Sequence, residues 1–128
     1  MGTHVFQVEI SQNDIDHMGH VNNAVYLRWV QDAVVEYWEK AAPPEAVVKH
    51  LWVALKHEIE YCRPTFLGDN VIAECISDSI SGVRAHFITV IRRGEETLAS
   101  VRSTWCCLDA STRRPVRLAR EISDCLFA

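Results

Sequence analysis

Between Ala24 and Ala41 the apolar positions fall at Tyr26, Trp29, Val30, Ala33, Val34, Tyr37 and Ala41, which is the spacing of one helix face. Arg28, Gln31, Asp32, Glu36, Glu39 and Lys40 take the opposite side, and Glu36 with Lys40 makes a favourable i,i+4 pair. Asn22 or Asn23 is suited to cap this helix, and Pro43-Pro44 to end it. Elsewhere the period drops to two. His4 to Ile10 alternates weakly and predicts a first strand. From Trp52 to Arg63 the alternation is clear, with Val53, Leu55, His57, Ile59 and Tyr61 facing one way and Lys56, Glu58 and Glu60 the other. Three more strands are expected over Val71–Ser77, Val83–Arg92 and Thr97–Leu108, with hairpin breaks at Ser81-Gly82 and Arg93-Gly94-Glu95. Val116 to Leu126 is suited to a short last helix.

This order is one strand, one long helix and four strands in a meander. Short connections imply antiparallel pairing, and the helix must bury its apolar stripe on one face of the sheet. The expectation is an α+β domain whose five-stranded antiparallel sheet wraps one long central helix. At 128 residues, 48% of them hydrophobic, the chain fits a single domain over 1–128 with a real core. The net charge of −4 argues against nucleic acid as a main partner. The five cysteines, at 62, 75, 106, 107 and 125, show no C-x-x-C spacing, so reduced thiols are expected rather than a disulfide frame or a zinc site. No leader and no membrane-spanning segment is read from the sequence, which leads to a cytoplasmic expectation.

The chemistry concentrates in the run Asn13-Asp14-Ile15-Asp16-His17-Met18-Gly19-His20-Val21-Asn22-Asn23-Ala24-Val25-Tyr26. Carboxylates and imidazoles surround a glycine just ahead of the long helix. Free backbone N–H groups at a helix amino end hold a negative oxygen, while a nearby carboxylate attacks or takes a proton. That combination suits acyl transfer. On the residues alone Asp16 has a second reading, as an Asx-turn acceptor for loop N–H groups. His20 is equally a loop anchor or a group that hydrogen-bonds substrate. Asp14 reads as a structural carboxylate, Gly19 as a position needing positive φ, and Tyr26 as core. The spacing of Asp14, Asp16, His17 and His20 does not match known metal sites, so no metal is expected.

The loop Asp14-x-Asp16-x-x-Gly19-His20-Val21-Asn22-Asn23-x-x-Tyr26, set in this element order, resembles the hotdog-fold thioesterases. The resemblance is to the 4-hydroxybenzoyl-CoA thioesterase group and its acyl-CoA and acyl-carrier-protein relatives. Ile59-x-Tyr61-x-x-Pro64-x-x-x-Gly68-Asp69 is a second matching segment, and Arg114-Pro115-Val116-Arg117-Leu118 a third. The resemblance implies that Asp16 is the catalytic carboxylate and that the Asn23 backbone N–H polarises the thioester carbonyl, with His20 beside them. Gly19, Val21, Asn22 and Tyr26 are the expected substrate contacts. It further implies acyl-CoA or acyl-carrier-protein thioester substrates, no cofactor, and a homodimer or homotetramer with sites at subunit interfaces. The chain departs from the hydroxybenzoyl enzymes in having Asp16-His17-Met18-Gly19 where they have Asp-Pro-x-Gly. Met18 also stands where plant acyl-carrier-protein thioesterases place an Asn. Two rival functions share the fold, namely an acyl-thioester hydratase or dehydratase and a non-catalytic acyl-thioester-binding module.

Overall fold

A computed structural model describes residues 2–128. Its sheet has five antiparallel strands: β1 (Thr3–Gln7), β2 (His50–Tyr61), β3 (Ile72–Ser81), β4 (Arg84–Arg93) and β5 (Glu96–Asp109), in the spatial order β1-β3-β4-β5-β2. The helix α1 (Val25–Ala41) lies against β1 and β3 on one face of the sheet. The five-stranded antiparallel sheet around one long helix is what the pattern predicts, and the architecture is that of the hotdog fold, as the resemblance implies.

The helix buries Tyr26, Trp29, Val30, Ala33, Val34, Tyr37 and Trp38. Inward residues of β3, β4 and β5, among them Ala73, Cys75, Phe87, Ile91, Val101 and Trp105, complete the same core. Burial at roughly 25 cal/mol per Å² of apolar surface makes these large rings the main adhesive between helix and sheet. The β3–β4 and β4–β5 hairpins turn on Gly82 and Gly94, whose φ angles of +62° and +60° are ones a side chain resists.

The meander read over the last four strands holds only for β3, β4 and β5, because β2 lies at the sheet edge and pairs with β5 instead of its sequence neighbour β3. Four local expectations are also corrected. The helix is not capped by Asn22 or Asn23. Ala24 holds the cap position in αR geometry, and Asn22 acts one step earlier by accepting the Ala24 N–H on Oδ1 at 2.9 Å. Pro43-Pro44 ends α1 but also starts a further helix, α2 (Pro44–Lys49), because proline at N1 surrenders an N–H that needs no partner there. The alternation read along β2 breaks at a bulge between Ala54 and Lys56. Val53 and Leu55 therefore face solvent, while Trp52, Ala54, His57 and Ile59 turn inward. The C-terminal segment is extended as far as Ala119 and forms only α3 (Arg120–Ser123), followed by a 3-10 turn over Asp124–Phe127. That turn is anchored where the Tyr37 and Ser77 hydroxyls donate to the Leu126 carbonyl.

All five cysteines are unpaired. Burial pushes the Cys75 and Cys107 thiols up to about 12, so both stay protonated and inert at neutral pH. No helix among the described residues is long and apolar enough to cross a membrane.

Candidate active site at the amino end of the long helix

The segment between β1 and α1 is organised by its two aspartates. Asp14 ends a 3-10 turn (Gln12–Asp14), and the residue is only 4% exposed. One carboxylate oxygen accepts the Ser11 N–H at 2.9 Å and the other accepts from Arg28 Nη2 at 3.0 Å. Burial by itself would raise the Asp14 pKa. The Ser11 amide and the Arg28 guanidinium outweigh it and hold the carboxyl below its usual value. Arg28 lies on the first turn of α1, so this pair ties the loop to the helix. The Asp14 carbonyl adds a second tie by accepting the Asn22 N–H at 2.9 Å.

From Ile15 to Val21 the chain makes a miniature hairpin. Ile15 and Val21 bridge, the Asp16 N–H donates to the His20 carbonyl at 3.0 Å, and the Gly19 N–H donates to the Asp16 carbonyl at 3.0 Å. Gly19, at φ +84°, supplies the left-handed residue this three-residue loop requires. Asp16 sits at its start, half-buried. Its Oδ1 accepts the Met18 N–H at 2.9 Å, an Asx turn, and Oδ2 carries no hydrogen bond among the described residues. The two readings of Asp16 are thus compatible, because one oxygen anchors the turn and the other is free.

The next residues are fixed from outside. The Val21 N–H donates to the Thr65 carbonyl at 2.8 Å, and the buried Tyr26 hydroxyl lies 2.7 Å from Thr65 Oγ1. Burial raises the Tyr26 pKa, so this phenol stays neutral and structural. The turn that carries Thr65 is braced by Arg93, whose Nη1 donates to Asp69 at 2.7 Å and to the Pro64 carbonyl at 3.3 Å. Asn22 closes the entry to α1, its carbonyl accepting the Val25 N–H at 2.9 Å. The Asn23 carbonyl accepts the Tyr61 hydroxyl at 2.9 Å, whereas the Asn23 N–H has no partner among the described residues.

An open cleft of about 290 Å³ lies at this point, walled by His20, Asn23, Tyr26, Tyr61, Cys62, Arg63 and Pro64. Of the residues singled out in the sequence, the fold brings His20, Asn23 and Tyr26 to its wall. Asp16 and Gly19 stand on the adjoining hairpin rather than in that wall. Val21 is 0% exposed and packs in the core, and Asn22 is exposed and engaged with the helix entry. His20 packs edge-on against Phe66, with ring centroids 6.3 Å apart, and its Nδ1 lies 3.4 Å from the Val21 carbonyl. Tyr61, Cys62 and Arg63 were not singled out as site residues. Their signal was the strand-and-turn segment starting at Ile59, which marks the place without stating the contact.

The Asn23 N–H lies in the turn just ahead of the 17-residue helix α1, whose amino end favours a developing negative oxygen nearby. Asp16, on the hairpin ahead of this turn, is the nearest carboxylate in sequence that keeps an oxygen without a hydrogen bond among the described residues. A second groove of about 590 Å³, between β1 and α1, includes Asp14, Arg28, Trp29 and Glu36. Its polar groups are partly committed to structure, Asp14 to Arg28 and Glu36 to His4 at 2.6 Å. No group of three His, Cys, Asp or Glu side chains among the described residues is placed to hold a metal ion.

The family model for the thioesterase-like superfamily matches residues 10–126. The chain belongs to this superfamily. The long-chain acyl-CoA thioesterase FadM of Escherichia coli (strain K12) is 26% identical to it, over 92% of each chain. Among solved structures, a thioesterase from Thermus thermophilus complexed with coenzyme A and Zn superposes with a TM-score of 0.83 at 25% identity, covering 97% of both chains. A 1,4-dihydroxy-2-naphthoyl-CoA thioesterase from Synechocystis shares the fold, with a TM-score of 0.82 at 17% identity over 98% of this chain and 96% of that one. All three are named as thioesterases, and the two solved structures carry the fold described above.

Proposed function

We propose that this protein hydrolyses acyl thioesters of coenzyme A, or of an acyl-carrier protein, to free acid and thiol. The observation that carries the reading is the Asn23 N–H, unpartnered among the described residues, in the turn just ahead of α1 at a residue that walls the cleft, with an unengaged oxygen of Asp16 on the adjoining hairpin. The amide would take the carbonyl oxygen as it becomes negative. Losing one such donor costs about 3 kcal/mol of barrier in well-studied hydrolases, so the helix end ranks with the carboxylate in importance. Asp16 would either attack the carbonyl carbon, forming an anhydride that water opens, or take a proton from the attacking water. In both cases the C–S bond breaks and the thiol leaves with a proton. His20, at the cleft wall, would contact the thioester. The reaction needs no cofactor, because water is the second substrate.

The likeness to a long-chain acyl-CoA thioesterase supports an aliphatic acyl group as the first to try. A homodimer or homotetramer is part of the proposal. β2 is an edge strand, and Leu51, Val53 and Leu55 along it are exposed, a surface that a second copy would cover. The unpaired cysteines agree with a cytoplasmic setting.

The test is thiol release from a panel of aliphatic and aromatic acyl-CoAs, with wild type run beside Asp16→Asn. Release that collapses in the variant, while circular dichroism and oligomeric state stay unchanged, supports the reading. Equal rates in the two proteins would remove Asp16 from the mechanism. Binding of acyl-CoA without thiol release would favour the binding-module alternative, and hydration of an enoyl-CoA would favour the hydratase.

A further inference from the structure

We infer that Tyr61 is a positioning residue for the oxyanion-binding amide, acting through the Asn23–Ala24 peptide group. The inference rests on the hydrolase reading above and names a residue that reading does not use. The peptide groups around Asn23 are held in sequence. The Asn22 N–H is taken by the Asp14 carbonyl at 2.9 Å, and the Asn22 carbonyl is taken by the Val25 N–H at 2.9 Å. In the peptide after Asn23, the Ala24 N–H is taken by Asn22 Oδ1 at 2.9 Å and the Asn23 carbonyl by the Tyr61 hydroxyl at 2.9 Å. The peptide between Asn22 and Asn23 is therefore left with a free N–H, while both of its neighbours are pinned.

Three of those four contacts are local to the loop and the first helical residue. Tyr61 differs because it reaches from the last residue of β2, so it fixes the loop against the sheet that forms the cleft's other wall. Its ring is oriented for this by an edge-to-face contact with Tyr26, at a centroid distance of 5.3 Å and an interplanar angle of 84°. Tyr26 is 2% exposed and tied to Thr65, whose carbonyl holds the Val21 N–H. The hydroxyl of Tyr61 is thus the far end of a rigid bracket rather than a loose surface group, although the residue is 41% exposed. An oxyanion donor works only when it is aimed before the charge develops, and a displacement of about 1 Å at a reacting group costs up to roughly a hundredfold in rate. A strut on the carbonyl of the same residue limits the rotation that would swing the Asn23 N–H off target.

Tyr61→Phe removes the hydroxyl and keeps the ring contact, so it separates the strut from the packing. Thiol release from the best acyl-CoA should show kcat down about tenfold with KM changed by less than about twofold. In the ¹⁵N spectrum of the variant, the Asn23 and Ala24 amides should shift and exchange faster, while the Thr65-bonded Val21 amide stays put. A wild-type kcat in Tyr61→Phe overturns the inference, and so does a rise in KM with kcat unchanged. If wild type releases no thiol from any ester tested, the hydrolase reading itself fails. The amide spectrum still decides whether Tyr61 holds residue 23, and unchanged Asn23 and Ala24 signals overturn that as well.

Discussion

Asp14 and Asp16 lie two positions apart on one short loop, and the fold treats them in opposite ways. Asp14 is buried, both of its oxygens are engaged, and its charge is held by Arg28 and the Ser11 amide. Asp16 is half-buried, one oxygen closes an Asx turn and the other is free. The first carboxylate fixes geometry, and the second keeps one oxygen uncommitted, as the proposed chemistry requires. Chemical identity therefore says little here about role, and the number of unsatisfied lone pairs says more. A saturated carboxylate is a poor nucleophile and a good strut, and the reverse holds for one kept partly unbonded.

The sharpest break of this contrast exchanges the two losses. Asp16→Asn keeps the Oδ1 acceptor for the Met18 N–H and removes the charge. Activity should fall by roughly a hundredfold to ten-thousandfold, with the thermal midpoint within a few degrees of wild type. Steady-state thiol release and a melting scan on the same sample check both halves. Asp14→Ala should show the opposite profile. It leaves the Ser11 N–H and the Arg28 guanidinium without their shared acceptor, at a cost of about 1–3 kcal/mol in unfolding free energy. Arg28 is half-exposed and regains water, which keeps the figure at the lower end. A denaturant titration should show a lower midpoint at unchanged slope. Loss of activity without loss of stability in Asp14→Ala would dissolve the contrast.

The helix face and the strand count were legible because periodicity reports burial directly. Short connections gave the antiparallel pairing of β3, β4 and β5 but not the place of β2, which crosses to pair with β5. Misread features were those where a local rule met a tertiary demand. Trp38 lies off the face counted from Tyr26 to Ala41, yet it is buried because it packs edge-on against Trp52 and His50, with centroids 5.5 Å and 6.0 Å away. Along β2 the bulge after Ala54 inverts the parity, and no alternation can announce a residue that is skipped. Asn22 and Asn23 carry the right side chains for a cap, but the helix begins one residue later, so Asn22 caps the turn that precedes it. In the site, the Asx turn closed by Asp16 and the structural bonds of Asp14 were legible from their loop positions. The bond from Tyr61 to the Asn23 carbonyl was not, since it joins residues 38 apart, from the end of a strand to the turn ahead of α1.

Acid sharpens the same comparison by a smaller amount. The folded-state pKa of Asp14 lies below its value in the unfolded chain, so folding favours the ionised form. Its contribution is fully present above the unfolded-chain pKa of about 4. It is lost as pH falls from there through the lower folded value. The unfolding free energy of wild type should accordingly drop more steeply below pH ~4 than that of Asp14→Asn, which has no such proton to take up. Parallel curves for the two proteins across that window would mean that the Arg28 and Ser11 contacts do not stabilise the ionised carboxylate.

The smallest expected effect tests whether the Asp16 hairpin is a rigid frame. Gly19 adopts φ +84°, and a methyl group there would meet nothing within 4 Å, so Gly19→Ala introduces backbone strain without a clash. That strain is about 1–2 kcal/mol for an L-residue in the left-handed region. The chain has two ways to answer it. If the hairpin keeps its shape, the cost falls on stability, and kcat stays within about twofold while the melting midpoint drops by roughly 4–8 °C. If the turn relaxes instead, the Gly19 N–H leaves the Asp16 carbonyl and the aspartate's free oxygen loses its aim. Then kcat falls and stability is largely retained. The bonds at both ends of the loop, from the Asp16 N–H to His20 and from the Val21 N–H to Thr65, favour the first outcome, because opening the turn would also put those two at risk.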